Sequence, residues 1–275
     1  NLQKSTLLEL SSLGLKSLTE ILKDITKLSS KALNVERVSI WRFMEDESRI
    51  ICKSLFKLTE SIHESGHILN SKDHPNYFKA LREGITISAE DAHVDSRTKE
   101  FSANYFKPNG INSTLDVFIK DQGGDKFIGI ICFEHVGPKK KWTEDEHNFA
   151  LSIANITSLA FESFERKQSE QKLMRLSEMQ SIILKIALKY INMPYELAHQ
   201  SIINSLKELG KFVQVDRAYI FEYDWKNKVC NNTHEWCNYG ISPEIDNLQK
   251  VPFEALDNFA EAHKKGDDVC IERDR

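Results

Sequence analysis

The chain reads as an α+β protein in which antiparallel strand hairpins alternate with amphipathic helices. Three observations point there. Apolar residues recur at helical spacing near residues 7–28 and 149–190, alternating β-hairpin patterns fill the interval between them, and a strand motif is repeated 180 positions downstream.

The first helix is set by Leu7, Leu10, Leu18, Ile21, Leu22, Ile25 and Leu28, spaced by threes and fours, with a break expected near Gly14. Val38, Ile40 and Phe43 then sit among polar residues, and Asp46-Glu-Ser48 leads into Arg49–Phe56, which predicts a hairpin. A short helix follows from Asp73 to Gly84, with Pro75 suited to its first turn and Gly84 to its stop. Ile85-Thr-Ile87 predicts a short strand, and a polar connection runs through Asp91 and Asp95. Ser113–Lys120 and Lys126–Val136 predict a second hairpin, turned at 121–125.

Thr143 and Glu146 form a capping-box pair, and Phe149, Ile153, Ile156, Leu159 and Phe164 line one side of the helix that follows. That helix becomes polar all round at 165–172, after which Leu176, Met179, Ile183, Ile186 and Tyr190 recur as a short coiled-coil seam. The repeat is explicit: Val35-Glu-Arg-Val-Ser-Ile-Trp-Arg-Phe is echoed by Val215-Asp-Arg-Ala-Tyr-Ile-Phe-Glu-Tyr. The second copy is expected to run through a hairpin at Trp225–Lys228 and a helix ending at Gly266, and to stop at Val269-Cys-Ile271, the counterpart of Ile85-Thr-Ile87. The expected organisation is therefore a complete module at 1–165, a connector helix at 166–190, and the first part of a truncated second module at 191–275.

Composition narrows the function. With 275 residues there is room for two cores of about 100–200 residues each. The 40% hydrophobic and 28% charged content suits a globular protein, and a net charge of −4 gives no overall basic field for nucleic acid or an anionic membrane. No apolar run reaches the roughly 20 residues of a membrane span. Five cysteines without a CxxC pair fit free thiols in a reducing cytoplasm. Walker-type loops and GxSxG elbows are missing, so this stretch is read as non-catalytic. His63, His67, His74 and His93, or Cys230, His234 and Cys237, lack a four-ligand spacing, and no metal is expected.

The run from Asp73 to Phe161 carries a family resemblance. Asp73-His-Pro-Asn-Tyr-Phe, Asp91-Ala-His-Val-Asp-Ser-Arg-Thr-Lys-Glu-Phe, Gly110-Ile-Asn-Ser-Thr-Leu-Asp, Gly129-Ile-Ile-Cys-Phe-Glu-His-Val-Gly and Lys141-Trp-Thr-Glu-Asp-Glu resemble the GAF domains of bacterial multidomain sensor kinases. His234-Glu-Trp-Cys-Asn-Tyr-Gly-Ile-Ser-Pro-Glu-Ile-Asp-Asn-Leu-Gln resembles the same family in the second copy.

The resemblance implies a five- or six-stranded antiparallel sheet, with the terminal helices on one face and a ligand pocket under loops and a short helix on the other. It implies a regulatory region with a histidine kinase downstream in the same polypeptide, or alternatively a diguanylate cyclase or phosphodiesterase. The Asn-Lys…Phe…Asp-Glu signature of cyclic-nucleotide binders is not intact, and no cysteine stands where a bilin would attach, so no cyclic nucleotide, bilin or haem is expected.

The ligand is an unidentified small molecule. Trp41, Tyr77, Phe78, Asp91, Tyr105, Thr114, Asp116, Cys132 and Glu134 are the candidate pocket residues. Asp116 and Glu134 stand out as carboxylates inside apolar strands, where burial demands a donor or a ligand. The apolar faces of the terminal and connector helices suit a homodimer, and a ligand-free dimerisation or spacer module is the competing expectation.

Overall fold

The computed structural model describes residues 2–11, 16–44, 46–84, 86–121, 123–124, 126–191, 193–256 and 259–270. Two compact units divide the chain, Asn1–Ser169 and Glu170–Arg275.

Helices α1 (Leu2–Ser11) and α2 (Leu18–Leu33) open the first unit, and the expected break at Gly14 lies outside the described residues. Ser17 and Glu20 close a capping box on α2, and Asn34 ends it in the left-handed region at φ 48°. Strands β1 (Arg37–Phe43), β2 (Arg49–Lys57), β3 (Ile62–Glu64) and β4 (Ile68–Asn70) follow, then α3 (Pro75–Arg82) and β5 (Ile87–Ala89).

The connection expected after β5 contains helical structure: a 3₁₀ turn at Lys99–Phe101, a π turn at Ser102–Phe106, and α4 (Lys107–Asn109). Strands β6 (Ile111–Lys120) and β7 (Phe127–Val136) precede α5 (Glu144–Tyr190), a continuous helix of 47 residues whose start carries the expected Thr143–Glu146 box.

The sheet order is β3-β2-β1-β7-β6-β5, with β4 also paired to β2, and every pairing is antiparallel. It has seven strands because β3 and β4, three residues each, extend one edge; runs that short leave no readable alternation in the sequence. The short strand at 87–89 begins two residues later than expected from Ile85, itself outside the described residues.

Strand alternation sorts the core into two layers. Val38 and Ile40 of β1, Leu115 and Val117 of β6, and Ile131 and Phe133 of β7 pack with Leu22 and Ile25 of α2 and Phe149, Ile153 and Phe161 of α5. Each such side chain contributes about 1.5–3 kcal/mol by burial. The opposite face turns Trp41, Phe118, Ile130 and Cys132 toward α3 and the 99–109 segment. Gly129 permits a close approach between β7 and β1: a Cβ there would lie 2.3 Å from the Trp41 carbonyl oxygen of the neighbouring strand.

The second unit contains α6 (Tyr195–Val213), β8 (Arg217–Asp224), β9 (Val229–Cys237), β10 (Val251–Pro252) and α7 (Phe259–Lys265), with strand order β10-β9-β8. Gly210 of α6 lets Trp236 of β9 lie against the helix, where an added Cβ would meet the ring at 2.2 Å. The strand expected at 269–271 is not formed at Val269 and Cys270, which belong to no regular element; Ile271 is outside the described residues. Among the described residues neither Val269 nor Cys270 is paired with a strand, so no ladder forms there. No helix among the described residues is long and apolar enough to cross a membrane.

Candidate functional site

In the first unit, a cavity of about 480 Å³ lies between the sheet and the α3 and 99–109 segments. Its floor is built by strand register. Thr114 of β6 faces Glu134 of β7, Asp116 faces Cys132, and Cys132 faces Ser39 of β1, so alternate residues from three strands point the same way. Trp41 completes that floor, its indole N–H donating to Ser39 Oγ at 2.8 Å.

The roof comes from α3 and the helical run at 99–109. Glu100 accepts from the Asn76 and Tyr77 backbone N–H groups and from Asn76 Nδ2, tying the 3₁₀ turn to the start of α3. His74 stacks on Phe101 with ring centroids 4.1 Å apart. The π turn is closed by the Lys107 N–H bonding to the Ser102 carbonyl, and it carries Asn104, Tyr105 and Phe106 over the cavity.

Two buried carboxylates dominate the floor and are held differently. Glu134 Oε2 accepts from Arg37 Nε at 2.9 Å and from the Tyr105 hydroxyl at 3.0 Å, and Arg37 also donates to Asn109 Oδ1 and the Tyr105 oxygen. Asp116 accepts from the Tyr77 hydroxyl at 2.9 Å and the Thr114 hydroxyl at 2.6 Å. Among the described residues Asp116 has no ion-pair partner, and the groups that meet it, the two hydroxyls and the Cys132 thiol, are neutral.

Residues 17–161 match the family described as GAF domain. The chain belongs to the GAF domain family. No curated protein matches it. Solved structures share the fold: the phycoerythrobilin-bound GAF domain from a cyanobacterial phytochrome is 17% identical, with a TM-score of 0.51 over 61% of this chain and 98% of that one. The phycocyanobilin-bound GAF domain from a cyanobacterial phytochrome is also 17% identical, with a TM-score of 0.50 over 60% and 96%. The GAF domain from Acinetobacter phosphoenolpyruvate-protein phosphotransferase is 17% identical, with a TM-score of 0.48 over 60% and 93%.

Of the residues expected to wall this GAF pocket, the structure gathers Trp41, Tyr77, Tyr105, Thr114, Asp116, Cys132 and Glu134 around one cavity. Phe78 is not in the lining; one position further around α3 than Tyr77, it packs in the buried layer between helix and sheet. Asp91 is not in the lining either. Its carboxylate pairs with Lys139 Nζ at 2.5 Å and caps the His93 backbone N–H, so it anchors a loop.

Sequence reasoning missed Arg37, whose partner lies 97 positions away, and Glu100 and Phe101, which sit in a segment read as a loop. The recurrence of Arg37 as Arg217 in the repeat was the available signal. Among the described residues no group of three or more His, Cys, Asp or Glu is placed to hold a metal ion.

Burial sets the electrostatics of the floor. It pushes the Asp116 carboxyl up to about 6, against the pull of the Thr114 and Tyr77 hydroxyls. It pushes Glu134 up to about 7, opposed by Arg37 and reinforced by Asp116. Burial also holds the Tyr77 hydroxyl and the Cys132 thiol well above their ordinary values, so Cys132 stays a thiol rather than a thiolate nucleophile. His74 is lowered by burial and stays neutral near pH 7.

Proposed function

We propose that this GAF domain is the input module of a bacterial signal-transduction protein, in which a small molecule occupies the cavity and its presence is relayed along α5 to an output domain of the same polypeptide. The observation that carries the reading is the cavity itself: about 480 Å³, floored by two buried carboxylates, on the sheet face opposite the layer that holds α2 and the start of α5. A ligand that tightens α3 and the 99–109 segment against the sheet would shift the population of states available to the helices behind it.

The motif resemblance supports a sensor histidine kinase as the parent protein, with a diguanylate cyclase or phosphodiesterase as the alternative. The recurrence of the helix–hairpin motif in the second unit supports a tandem arrangement. Leu173, Met174, Leu176, Met179, Ile183, Leu184 and Leu188 are exposed along α5 and would be covered in a homodimer. The same stripe supports the competing reading of a ligand-free dimerisation or spacer module.

The lining weighs against a bilin of the kind held by the two phytochrome domains. The propionates of such a chromophore would meet four carboxylates and no lysine or arginine, and the cavity's Cys132 is held as a protonated thiol.

The test is thermal unfolding of the protein with fractionated small-molecule extracts. A sensor is stabilised by RT ln(1 + [L]/Kd) in at least one fraction, which is about 2.7 kcal/mol at a hundredfold excess over Kd. A spacer shows no shift in any fraction.

A further inference from the structure

The charge of the cavity selects among ligand classes. Asp73, Glu100, Asp116 and Glu134 contribute to its lining, while His74 is its one basic side chain among the described residues. Arg37 lies behind Glu134 and is spent on that carboxylate, Tyr105 and Asn109. Phosphates and carboxylates therefore find no cation to receive them.

A donor-rich cation finds the opposite. Asp116 is 5% exposed and is met by the Tyr77 and Thr114 hydroxyls and the Cys132 thiol; Arg97 acts on it only from a distance and is paired with Asp95, so among the described residues no direct ion pair offsets its buried charge. Glu134 directs both of its described hydrogen bonds to Oε2, and no partner for Oε1 occurs among the described residues. In strand register Asp116 opposes Cys132, two residues from Glu134, so the two residues are diagonal neighbours on one face of the sheet, with Cα atoms about 7–8 Å apart. A single ammonium or amidinium group carries enough N–H donors to serve both carboxylates. Tyr77, Phe101 and Tyr105 form edge-on pairs beside them and present ring surface to a flat or cationic body. His74 Nδ1, buried in the wall and without a hydrogen-bond partner, is a further polar atom for a ligand to satisfy.

We propose that the cavity binds a small organic cation, a protonated amine or amidine on an apolar, planar body, with Asp116 as its principal counter-ion and Glu134 as the second acceptor. The proposal rests on the reading of the cavity as the sensory site and names the chemical class that it receives.

The test uses a shape-matched panel on the whole chain near pH 7.5: benzylamine and benzamidine as cations, benzoate as the anion, and benzyl alcohol as the neutral member, each titrated by calorimetry. The amine and amidine are expected to bind, and benzoate is not. Asp116→Asn keeps the hydroxyl bonds in reach and is expected to weaken cation binding by about tenfold or more, as loss of a charged hydrogen bond does. Hydrogen exchange across β6 and β7 that matches the unsubstituted protein separates a lost charge from a damaged fold. Binding of benzoate or benzyl alcohol in preference to the cations overturns the class while leaving the sensory cavity standing. Failure of every member to bind overturns the cation class, while stabilisation by extract fractions decides the sensory reading separately.

Discussion

Two stretches of this chain use the same local grammar and reach different packing. In the first, α2 ends at Asn34 in the left-handed conformation, with the Asn34 and Val35 N–H groups bonding back to Lys31 and Ser30; in the second, α6 ends at Gln214 in the same conformation, with Gln214 and Val215 bonding back to Lys211 and Gly210. The hairpins that follow share an irregularity at matching positions, between Ile40 and Trp41 in one and Ile220 and Phe221 in the other. Yet Ile40 is fully buried and Ile220 is 39% exposed. Caps, strands and a bulge are written locally, in about twenty residues. Burial is not, because Ile40 owes it to β7 and α5, elements that arrive about a hundred residues later.

Substitutions at paired positions put that contrast to the test. The largest effect is expected at Arg37→Ala, which leaves the Glu134 carboxylate buried without its cation and should cost the first unit about 3–5 kcal/mol. Hydrogen exchange resolved along the chain reads this unit by unit, and a cost below about 1 kcal/mol would mean the Arg37–Glu134 pair is not the anchor described above.

Ile40→Ala comes next, at about 2–5 kcal/mol, whereas Ile220→Ala should stay within about 0.5 kcal/mol. Equal costs at the two sites would show that the second unit buries its hairpin as fully as the first.

A pH series probes the carboxylates. Folding raises Asp116 from 3.8 to about 6 and Glu134 from 4.5 to about 7, so folding favours their protonated forms. Their contribution is complete below about pH 4 and is lost as pH rises through 6 and 7. The first unit should lose on the order of 2–3 kcal/mol between pH 4.5 and 8 on account of Asp116, a loss that Asp116→Asn removes. The smallest effect belongs to the caps: Gln214→Gly should stabilise by up to about 1 kcal/mol, and Asn34→Gly by less, because asparagine tolerates the left-handed region better than glutamine.

The same division between local and distant information decides what the sequence could reveal. Asp116 and Glu134 were legible because a carboxylate in a period-two apolar strand violates its surroundings wherever the strand is placed. Capping at Thr143 and Glu146 was legible for the same reason, since both partners lie within one turn. Arg37 was not, because nothing near it in sequence distinguishes it from a solvated arginine until β1 is set beside β7. The roof at 99–109 was hidden by its composition. Ser102, Asn104 and Asn109 read as a loop, while Phe101 and Phe106 are buried by contact with α3 and the sheet. Asp91 misled because its polar neighbourhood resembles a pocket rim until Lys139 is brought to it.

The most direct measurement of the sensory claim is hydrogen exchange on the whole chain, with and without a stabilising amine or amidine, read at residues 99–109 and along α5. The expected result is slower exchange at 99–109 where the roof closes on the ligand, accompanied by a change in α5 beyond residue 165. Protection confined to 99–109, with α5 exchanging as before, would contradict relay through the helix and leave a cavity that binds without signalling.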